Sequence, residues 1–274
     1  MSGKMAEKEI FAMDQTSMWR ALQINGRVIA ALLMREIITR FGRHNFGVLW
    51  VFLDPMIFTV GVTILWNCFE RHVPVKINIT AFAYTGYSTV MLWRNAAMRC
   101  GKALEPNYAL LFHRNVRVVD LLYSRVILEI AGATMSTLVI GVVLVATGLI
   151  EPPKDLLMMV SGWVLLMWFT FGLGMVVGAL SERWDWFERI YHPAMYFYLP
   201  ISGAFFLVDW FKNPIRGWVL WLPTVHVTEM IRHGYFGDSV HTYEDPGYLC
   251  LLCLITLFIG LLFVKETQYR IGHQ

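Results

Sequence analysis

Four ionisable side chains lie at helical spacing near residue 230, and their types are those that bind metal ions or transfer protons. His226, Glu229 and His233 stand at positions i, i+3 and i+7, and Arg232 lies beside them. A helix rises about 10 Å over seven residues, which is too far for His226 and His233 to bind one ion. We therefore expect a polar helix face that lines water or a partner, and no metal site.

Sequence motifs of nucleotide-binding and hydrolytic enzymes are absent from this chain. The string nearest to a phosphate-binding loop, Cys100-Gly101-Lys102-Ala103, lacks the first glycine and the hydroxyl residue of that loop. The HExxH and GxSxG motifs do not occur either. Cys250 and Cys253 form a CxxC pair, but inside an apolar run that favours two small helix residues over a redox or metal site. We expect no catalytic residue and no cofactor bound by this chain.

The composition of the chain indicates the class of protein that contains these residues. Of 274 residues, 57% are hydrophobic and only 16% are charged, whereas about 25% are charged in a typical soluble domain. The mean hydropathy is +0.51. A soluble domain could not bury that much apolar surface, and a disordered chain, a nucleic-acid-binding arm and a disulfide-rich secreted module are excluded by the same composition. The chain is predicted to be an all-α integral membrane protein that binds no nucleic acid.

Six apolar segments are candidates for crossing the bilayer, because a transmembrane helix needs about 20 mostly apolar residues. They cover residues 47–67, 79–98, 118–150, 156–180, 190–208 and 249–264. With six spans both termini lie on one side of the membrane. Placing them in the cytoplasm puts 17 of the 23 Lys and Arg residues on that side, as the positive-inside rule requires.

Two segments do not fit a simple six-helix bundle. In the first, Asp14 or Ser17 begins a helix with Leu22, Ile29, Leu33 and Ile37 on one face and arginines opposite, as in a helix that lies in the membrane interface. The alternative is a soluble helix packed on a neighbour. The second, residues 209–236, is interrupted by proline and glycine yet rich in aromatic residues. It predicts short helices that re-enter the outer leaflet.

Aromatic residues are more abundant than interface belts require, with 18 Phe, 11 Tyr and 11 Trp. Aromatic faces also pack against the apolar faces of sugars. We therefore expect part of this surplus to line a polysaccharide path. The candidates in the fourth and fifth spans and the interrupted segment are Trp168, Tyr196, Tyr198, Phe205, Phe206, Trp210, Trp218 and Trp221.

Three segments resemble permeases of the ABC-2 exporters of surface polysaccharides. Residues 31–56 resemble the family's amphipathic entry to the first span, which ends on an acid-Pro pair, here Asp54-Pro55. Residues 95–118 resemble its cytoplasmic segment between spans two and three. Residues 198–237 resemble its C-terminal signature, including His-x-x-Glu-x-x-Arg, and are most similar to the capsular polysaccharide branch, the KpsM-like permeases. In this chain Leu222-Pro223 replaces the Asn-Pro of many members.

The resemblance implies an ABC-2 exporter fold in the bacterial inner membrane. Its parts would be a cytoplasmic N-terminus with an interfacial gate helix (1–46), a six-span domain with re-entrant periplasmic helices at 205–236 (47–264) and a cytoplasmic tail (265–274). It implies a homodimer bound to two ATP-binding subunits, which would carry ATP and Mg²⁺. Further partners would be a periplasmic adaptor, an outer-membrane exporter and, as substrate, a lipid-linked acidic polysaccharide.

The same resemblance implies roles for particular residues. Residues 100–114 would form the coupling helix, with Glu105, Pro106 and Asn107 at the contact with the ATPase. His226, Glu229, Arg232 and His233 would form a polar face on the re-entrant helices. Apart from the resemblance, we hypothesise that arginines near the cytoplasmic mouth attract an anionic lipid head group or acidic sugars; these are Arg40, Arg43, Arg94 and Arg99.

Other functions stay open at this point. An exporter of O-antigen or teichoic acid shares the architecture, and no residue here separates it from a capsule exporter. A membrane enzyme that transfers lipid or sugar groups would need a cluster of acids at one interface, but the acids here are dispersed. An ion-driven transporter usually contains two similar halves, and we find no internal repeat.

Overall fold

The computed structural model describes residues 18–41, 47–68, 77–101, 103–111 and 116–271. Parts of the predicted N-terminal segment (1–46), of the coupling segment (100–114) and of the tail (265–274) lie outside these ranges. The described residues form helices and turns, with no β-strand among them. The all-α prediction is therefore confirmed for the described part of the chain.

Ten α-helices occur in the described ranges, joined in places by single 3₁₀ turns. In chain order they are α1 (Met18–Phe41), α2 (Gly47–Cys68), α3 (Ile79–Gly101), α4 (Tyr108–Leu111), α5 (Val118–Ala146), α6 (Leu156–Arg183), α7 (Asp185–Tyr198), α8 (Ile215–Val219), α9 (Pro223–Phe236) and α10 (Pro246–Ile271). The 3₁₀ turns are Glu105–Asn107, Leu199–Ile201, Val208–Trp210 and Gly237–Ser239.

Three of these helices are long and apolar enough to cross a membrane. They are α5, α6 and α10, with 29, 28 and 26 residues, and they correspond to the third, fourth and sixth predicted spans. Helix α2 contains a shorter apolar stretch, Met56–Trp66. Helix α10 continues seven residues beyond the predicted end of the sixth span at residue 264.

Helix α6 lies at the centre of the bundle and packs against α3, α5, α7, α9 and α10. Its contact with α10 depends on glycine: a Cβ atom on Gly172 would lie 2.7 Å from the Leu257 amide nitrogen. A Cβ atom on Gly260 of α10 would lie 2.6 Å from the Met175 Cβ. Small residues allow such close backbone approach between membrane helices, where van der Waals packing drives association.

The region predicted as the fifth span differs from the continuous helix that we expected over residues 190–208. Helix α7 has 14 residues and ends at Tyr198, and a 3₁₀ turn with Pro200 follows. Pro193 lies inside α7 without ending it, whereas Pro200 coincides with its end, where the missing N–H leaves a helical hydrogen bond unmade. Residues 202–207 then continue as turns and irregular chain.

The interrupted segment 209–236 forms short helices, as its prolines and glycines predicted. Helix α8 has five residues, and α9 begins with Pro223 at its first turn, a position where the missing N–H costs nothing. Most of α9 is buried, and it packs against α6, α3 and α10. The segment is thus part of the folded core and not a free loop.

Helix α1 packs on the bundle through the face that the sequence predicted to be apolar. Ile29, Leu33 and Ile37 are half-buried, Leu32 is buried, and Arg27 opposite is exposed. Leu32 joins a core cluster with residues of α3, α5, α6 and α10. The helix is therefore held against α5 and α2.

Candidate functional site

Arg232 lies at the centre of the polar cluster on α9 and is fully buried. Its Nη1 atom donates hydrogen bonds to the carbonyl oxygens of Gly203 and Phe206 at 2.8 and 2.5 Å, and its Nη2 atom donates to Ala204 at 2.6 Å. The guanidinium carbon lies 3.8 Å from the centroid of the Phe82 ring. One side chain thus fixes the turn after α7 to both α9 and α3.

Close packing at this point requires a glycine on α3. A Cβ atom on Gly86 would lie 2.3 Å from the Ala204 carbonyl oxygen and 2.7 Å from Arg232 Nη2. Both distances are far inside van der Waals contact. Gly86 therefore allows the turn and the guanidinium to lie directly on the helix backbone.

The other two buried members of the cluster bind backbone groups. Glu229 accepts hydrogen bonds from the amides of Val208 and Tyr243, both at 3.3 Å. His226 Nδ1 accepts from the Asp245 amide at 3.0 Å, which leaves its Nε2–H to donate to the Leu220 carbonyl oxygen at 2.7 Å. The face that we expected to line water or a partner is instead directed at the chain itself, because buried backbone groups need partners.

His233, the fourth member, is partly exposed and pairs with Glu244 in the loop before α10. Burial alone would raise the pKa of the Glu244 carboxyl. Hydrogen bonds from His233 and Thr242 outweigh burial and hold that pKa below its ordinary value. This pair ties the end of α9 to the start of α10.

The predicted ATPase contact forms a compact turn over Glu105–Asn107, which we call the cytoplasmic turn after the side of the membrane predicted for it. Glu105 and Pro106 are exposed, and Asn107 is buried. The Asn107 side chain donates to the Ala103 carbonyl oxygen at 2.7 Å and accepts a hydrogen bond from Arg35 Nη1 of α1. The turn therefore presents Glu105 and Pro106 outward and is anchored to α1 by Asn107.

The residue after Arg35 begins a chain of charged contacts into the bundle. Glu36 pairs with Arg125 of α5 at 3.4 Å, and Arg125 donates to the Arg99 carbonyl oxygen of α3 at 2.8 Å. Arg99 Nε in turn lies 2.9 Å from a Glu129 carboxylate oxygen. The cytoplasmic turn, α1, α5 and α3 are thus joined through side chains that are mostly buried.

Tyr108, directly after the cytoplasmic turn, donates a hydrogen bond to Glu182 near the end of α6. Partial burial, and then this bond to a carboxylate, raise the pKa of the Tyr108 hydroxyl. The hydroxyl is therefore protonated at neutral pH and acts as a donor. The turn gains a second anchor, on the central helix.

The four arginines of the predicted cytoplasmic mouth do not form one group. The side chain of Arg40 and the whole of Arg43 lie outside the described residues. Arg99 is engaged by Glu129. Arg94 stacks on the Tyr196 ring of α7, with its guanidinium carbon 4.8 Å from the ring centroid.

The eight predicted path aromatics fall into two populations. Tyr196, Trp218 and Trp221 are exposed. Phe206 is buried, and the remaining four are half-buried in packed positions: Trp210 stacks on Phe82, Phe205 stacks on Trp66, Tyr198 meets Trp93 edge-on, and Trp168 packs on a core cluster. The structure therefore does not place all eight on one continuous surface of the chain.

Sequence reasoning missed Arg35 and Glu36, the residues through which α1 contacts Asn107 and Arg125. Both lie on the predicted interfacial helix, on which we considered only the apolar face and the arginines opposite. An adjacent basic and acidic residue near the end of such a helix is a usable signal. It indicates that the helix contacts one hydrogen-bond acceptor and one basic residue, here Asn107 and Arg125.

Comparison with known proteins places the whole chain among capsule exporters. No family model matches the chain. The capsule polysaccharide export inner-membrane protein BexB of Haemophilus influenzae is 44% identical over 261 residues, which cover 95% of this chain and 98% of BexB. CtrC of Neisseria meningitidis serogroup B, of the same description, is 44% identical over 93% of this chain and 96% of its own length. The polysialic acid transport protein KpsM of Escherichia coli is 30% identical over 88% of this chain and 93% of its own length.

The matched regions cover 88–95% of this chain. The resemblance seen in three segments is thus confirmed along the chain. The chain belongs to the family of capsule polysaccharide export inner-membrane proteins.

Proposed function

We propose that this chain is the transmembrane subunit of an ATP-driven exporter that moves lipid-linked capsular polysaccharide across the bacterial inner membrane. The observation that carries the proposal is the end-to-end identity of 44% with a capsule polysaccharide export inner-membrane protein. The chain has no phosphate-binding loop, so ATP and Mg²⁺ would be bound by a separate ATPase subunit.

The proposed topology has six spans and cytoplasmic termini. Helices α2 and α3, and α7 together with residues 199–208 that follow it, would join the three long apolar helices. Helices α8 and α9 would re-enter the outer leaflet between α7 and α10. The basic residues support this orientation, since 17 of 23 then lie on the cytoplasmic side. The buried polar cluster on α9 supports re-entry, because non-helical backbone at membrane depth needs protein partners.

Coupling to the ATPase would occur at the cytoplasmic turn. Glu105 and Pro106 are exposed and free to enter a groove of the ATPase, while Asn107 is held by Arg35. A displacement of the turn would therefore move α1 as well, and the Glu36–Arg125 pair would pass it to α5 and α3. Rigid helices joined by polar contacts are suitable for transmitting such a movement.

The polysaccharide would pass between two copies of this chain. Six helices can hardly enclose a pore wide enough for a sugar polymer, and a homodimer offers a shared path. Arg94 and the exposed aromatic residues Tyr196, Trp218 and Trp221 are our candidates for its wall, with Arg40 and Arg43 at the mouth. A periplasmic adaptor and an outer-membrane exporter would receive the chain beyond the inner membrane.

Co-purification with the ATPase tests this proposal. The chain is expected to purify with an ATP-binding subunit in a two-to-two complex whose ATP hydrolysis supports capsule export. Glu105→Arg should weaken the complex, because it reverses a charge at the proposed contact. Glu151→Arg is the matched control, since Glu151 is an exposed acid on the opposite side of the proposed membrane. A monomer with transferase activity of its own would refute the proposal.

A further inference from the structure

Arg94 has an unusual environment for an arginine within an apolar bundle. It lies on α3 seven residues before Gly101, which corresponds to about 10 Å along the helix from its cytoplasmic end. The Nε atom is shielded from solvent and has no hydrogen-bond acceptor in the described part of the chain. The guanidinium carbon lies 4.8 Å from the centroid of the Tyr196 ring.

Neighbouring arginines on the same helices are neutralised, whereas Arg94 is not. Arg99 lies 2.9 Å from Glu129, and Arg125 lies 3.4 Å from Glu36. Within the ranges that the structure describes, no carboxylate lies within 4 Å of Arg94. An unneutralised charge at membrane depth is costly, and such residues usually face a substrate path.

The surroundings of Arg94 are open on one side. Helix α7 packs on α3 and α6 through a small core that contains Ala97 and Tyr191. Beyond this core, Tyr196 is 58% exposed and Phe197 is 80% exposed. The arginine therefore lies at the edge of an aromatic surface that a passing molecule could reach.

We propose that Arg94 and Tyr196 form a binding site for an anionic group of the transported glycolipid, either a carboxylate or a phosphate. This inference rests on the proposed function. A guanidinium binds such oxyanions through two parallel hydrogen bonds. The exposed tyrosine ring can pack against the apolar face of the adjoining sugar.

The stacked geometry favours binding of an anion over a structural role. The ring holds the guanidinium by a cation–π contact, and the Tyr87 hydroxyl of α3 accepts a hydrogen bond from it. A guanidinium has five N–H donors, so further donors stay available for an oxyanion. Arg99 is less suited to this task, because its charge already faces a carboxylate. The site would thus select acidic over neutral glycans through a cation that has no carboxylate partner in the described part of the chain.

The test uses the complex with its ATPase subunits in phosphatidylcholine nanodiscs. Three probes separate the sources of the anion: a hexamer of α2,8-linked sialic acid, neutral maltohexaose, and phosphatidylglycerol added to the nanodiscs. Thermophoresis measures binding of the two hexamers, and mass spectrometry measures the phosphatidylglycerol that the complex retains. The variants are Arg94→Gln, Arg94→Lys and Tyr196→Leu, and the control is Arg189→Gln, an exposed arginine of α7.

We expect Arg94→Gln to weaken binding of the sialic acid hexamer by roughly tenfold, since it removes a charge-assisted contact. Arg94→Lys should lose less, Tyr196→Leu should weaken binding with the charge still present, and maltohexaose binding should not change. A loss confined to phosphatidylglycerol would also support the site and would assign the anion to the lipid terminus. Variants are compared only when they elute as the intact complex, and Arg94→Lys provides the test if Arg94→Gln does not assemble.

Several outcomes would overturn the inference while the exporter assignment stands. They are unchanged binding of both anionic probes by the Arg94 variants, equal binding of acidic and neutral hexamers by the unmodified complex, or an equal loss in Arg189→Gln. Failure of the proposed function has a different signature. In that case the unmodified chain would not associate with an ATPase subunit at all.

Discussion

Replacing Arg232 by methionine tests the contribution of the buried cluster on α9 to stability. Methionine keeps the length of the side chain but removes every donor. The carbonyl oxygens of Gly203, Ala204 and Phe206 would each lose a charge-assisted hydrogen bond from Arg232. Removing one partner of a buried polar contact costs more than the contact itself contributes, because the other partner stays buried.

The size of the effect follows from the number of carbonyl groups that are left without this donor. At about 1 kcal/mol for each of the three carbonyls, the loss is near 3 kcal/mol. For a chain of this size 1 kcal/mol corresponds to about 2–4 °C in the unfolding midpoint, so we expect a decrease of about 6–12 °C. The unfolding midpoint of Arg232→Lys should lie between those of Arg232→Met and the unmodified chain, because an ammonium group keeps the charge but cannot reach all three carbonyls.

A thiol-reactive dye measures this midpoint in detergent from its second phase of reaction. Cys68 is exposed and Cys250 half-buried, so they react in the folded chain, whereas Cys100 and Cys253 are buried and react only when the helices separate. Arg189→Met is the control, since it removes an exposed arginine and should shift the midpoint by less than about 2 °C. A midpoint for Arg232→Met within about 2 °C of the unmodified chain would show that the three hydrogen bonds contribute little. The reasoning on the turn after α7 would then be wrong.

Three further predictions concern other contacts. Gly172→Val should destabilise the chain by about 1–3 kcal/mol, because its side chain would clash with the α10 backbone, whereas Gly61→Val, with open space around it, serves as the control in the same dye assay. Glu36→Gln and Arg125→Gln should each reduce ATP hydrolysis by the complex, and the double variant in which Glu36 becomes Arg and Arg125 becomes Glu should recover part of it. If all three variants hydrolyse ATP as fast as the unmodified complex, the ion pair has no role. The pKa of Glu244 is lower in the folded chain than its ordinary value of 4.5, so its carboxylate stabilises the fold fully above pH 4.5 and ceases to do so as the pH falls through the folded pKa. The unfolding midpoint of Glu244→Gln should therefore change less than that of the unmodified chain between about pH 6 and about pH 3.

Hydropathy predicted the long helices well, because the thickness of the bilayer sets their length. The third, fourth and sixth predicted spans match α5, α6 and α10 to within a few residues at most ends. The prediction of one continuous helix was wrong for the fifth, because residues 190–208 form the end of α7, a 3₁₀ turn and irregular chain. Pro200 carried the signal for this break, but the apolar residues around it concealed that signal.

The candidate site was predictable in part. Spacing placed His226, Glu229 and Arg232 on one helix, and the structure shows this helix as α9. Spacing could not show that their partners are backbone groups from residues 203–208, 220 and 243–245. Those partners come from distant parts of the chain, and only packing brings them within hydrogen-bonding distance.

The sequence by itself determined the class of protein, three of its long apolar helices and its family. These properties follow from composition, from apolar length and from motifs, all of which are local along the chain. The tertiary structure decided which charges are paired. Arg94 and Arg99 are both arginines in the second half of α3, yet Arg99 faces Glu129 and Arg94 faces Tyr196. The physical reason is that the free energy of a buried charge depends on what lies within a few ångströms, and those neighbours come from other helices.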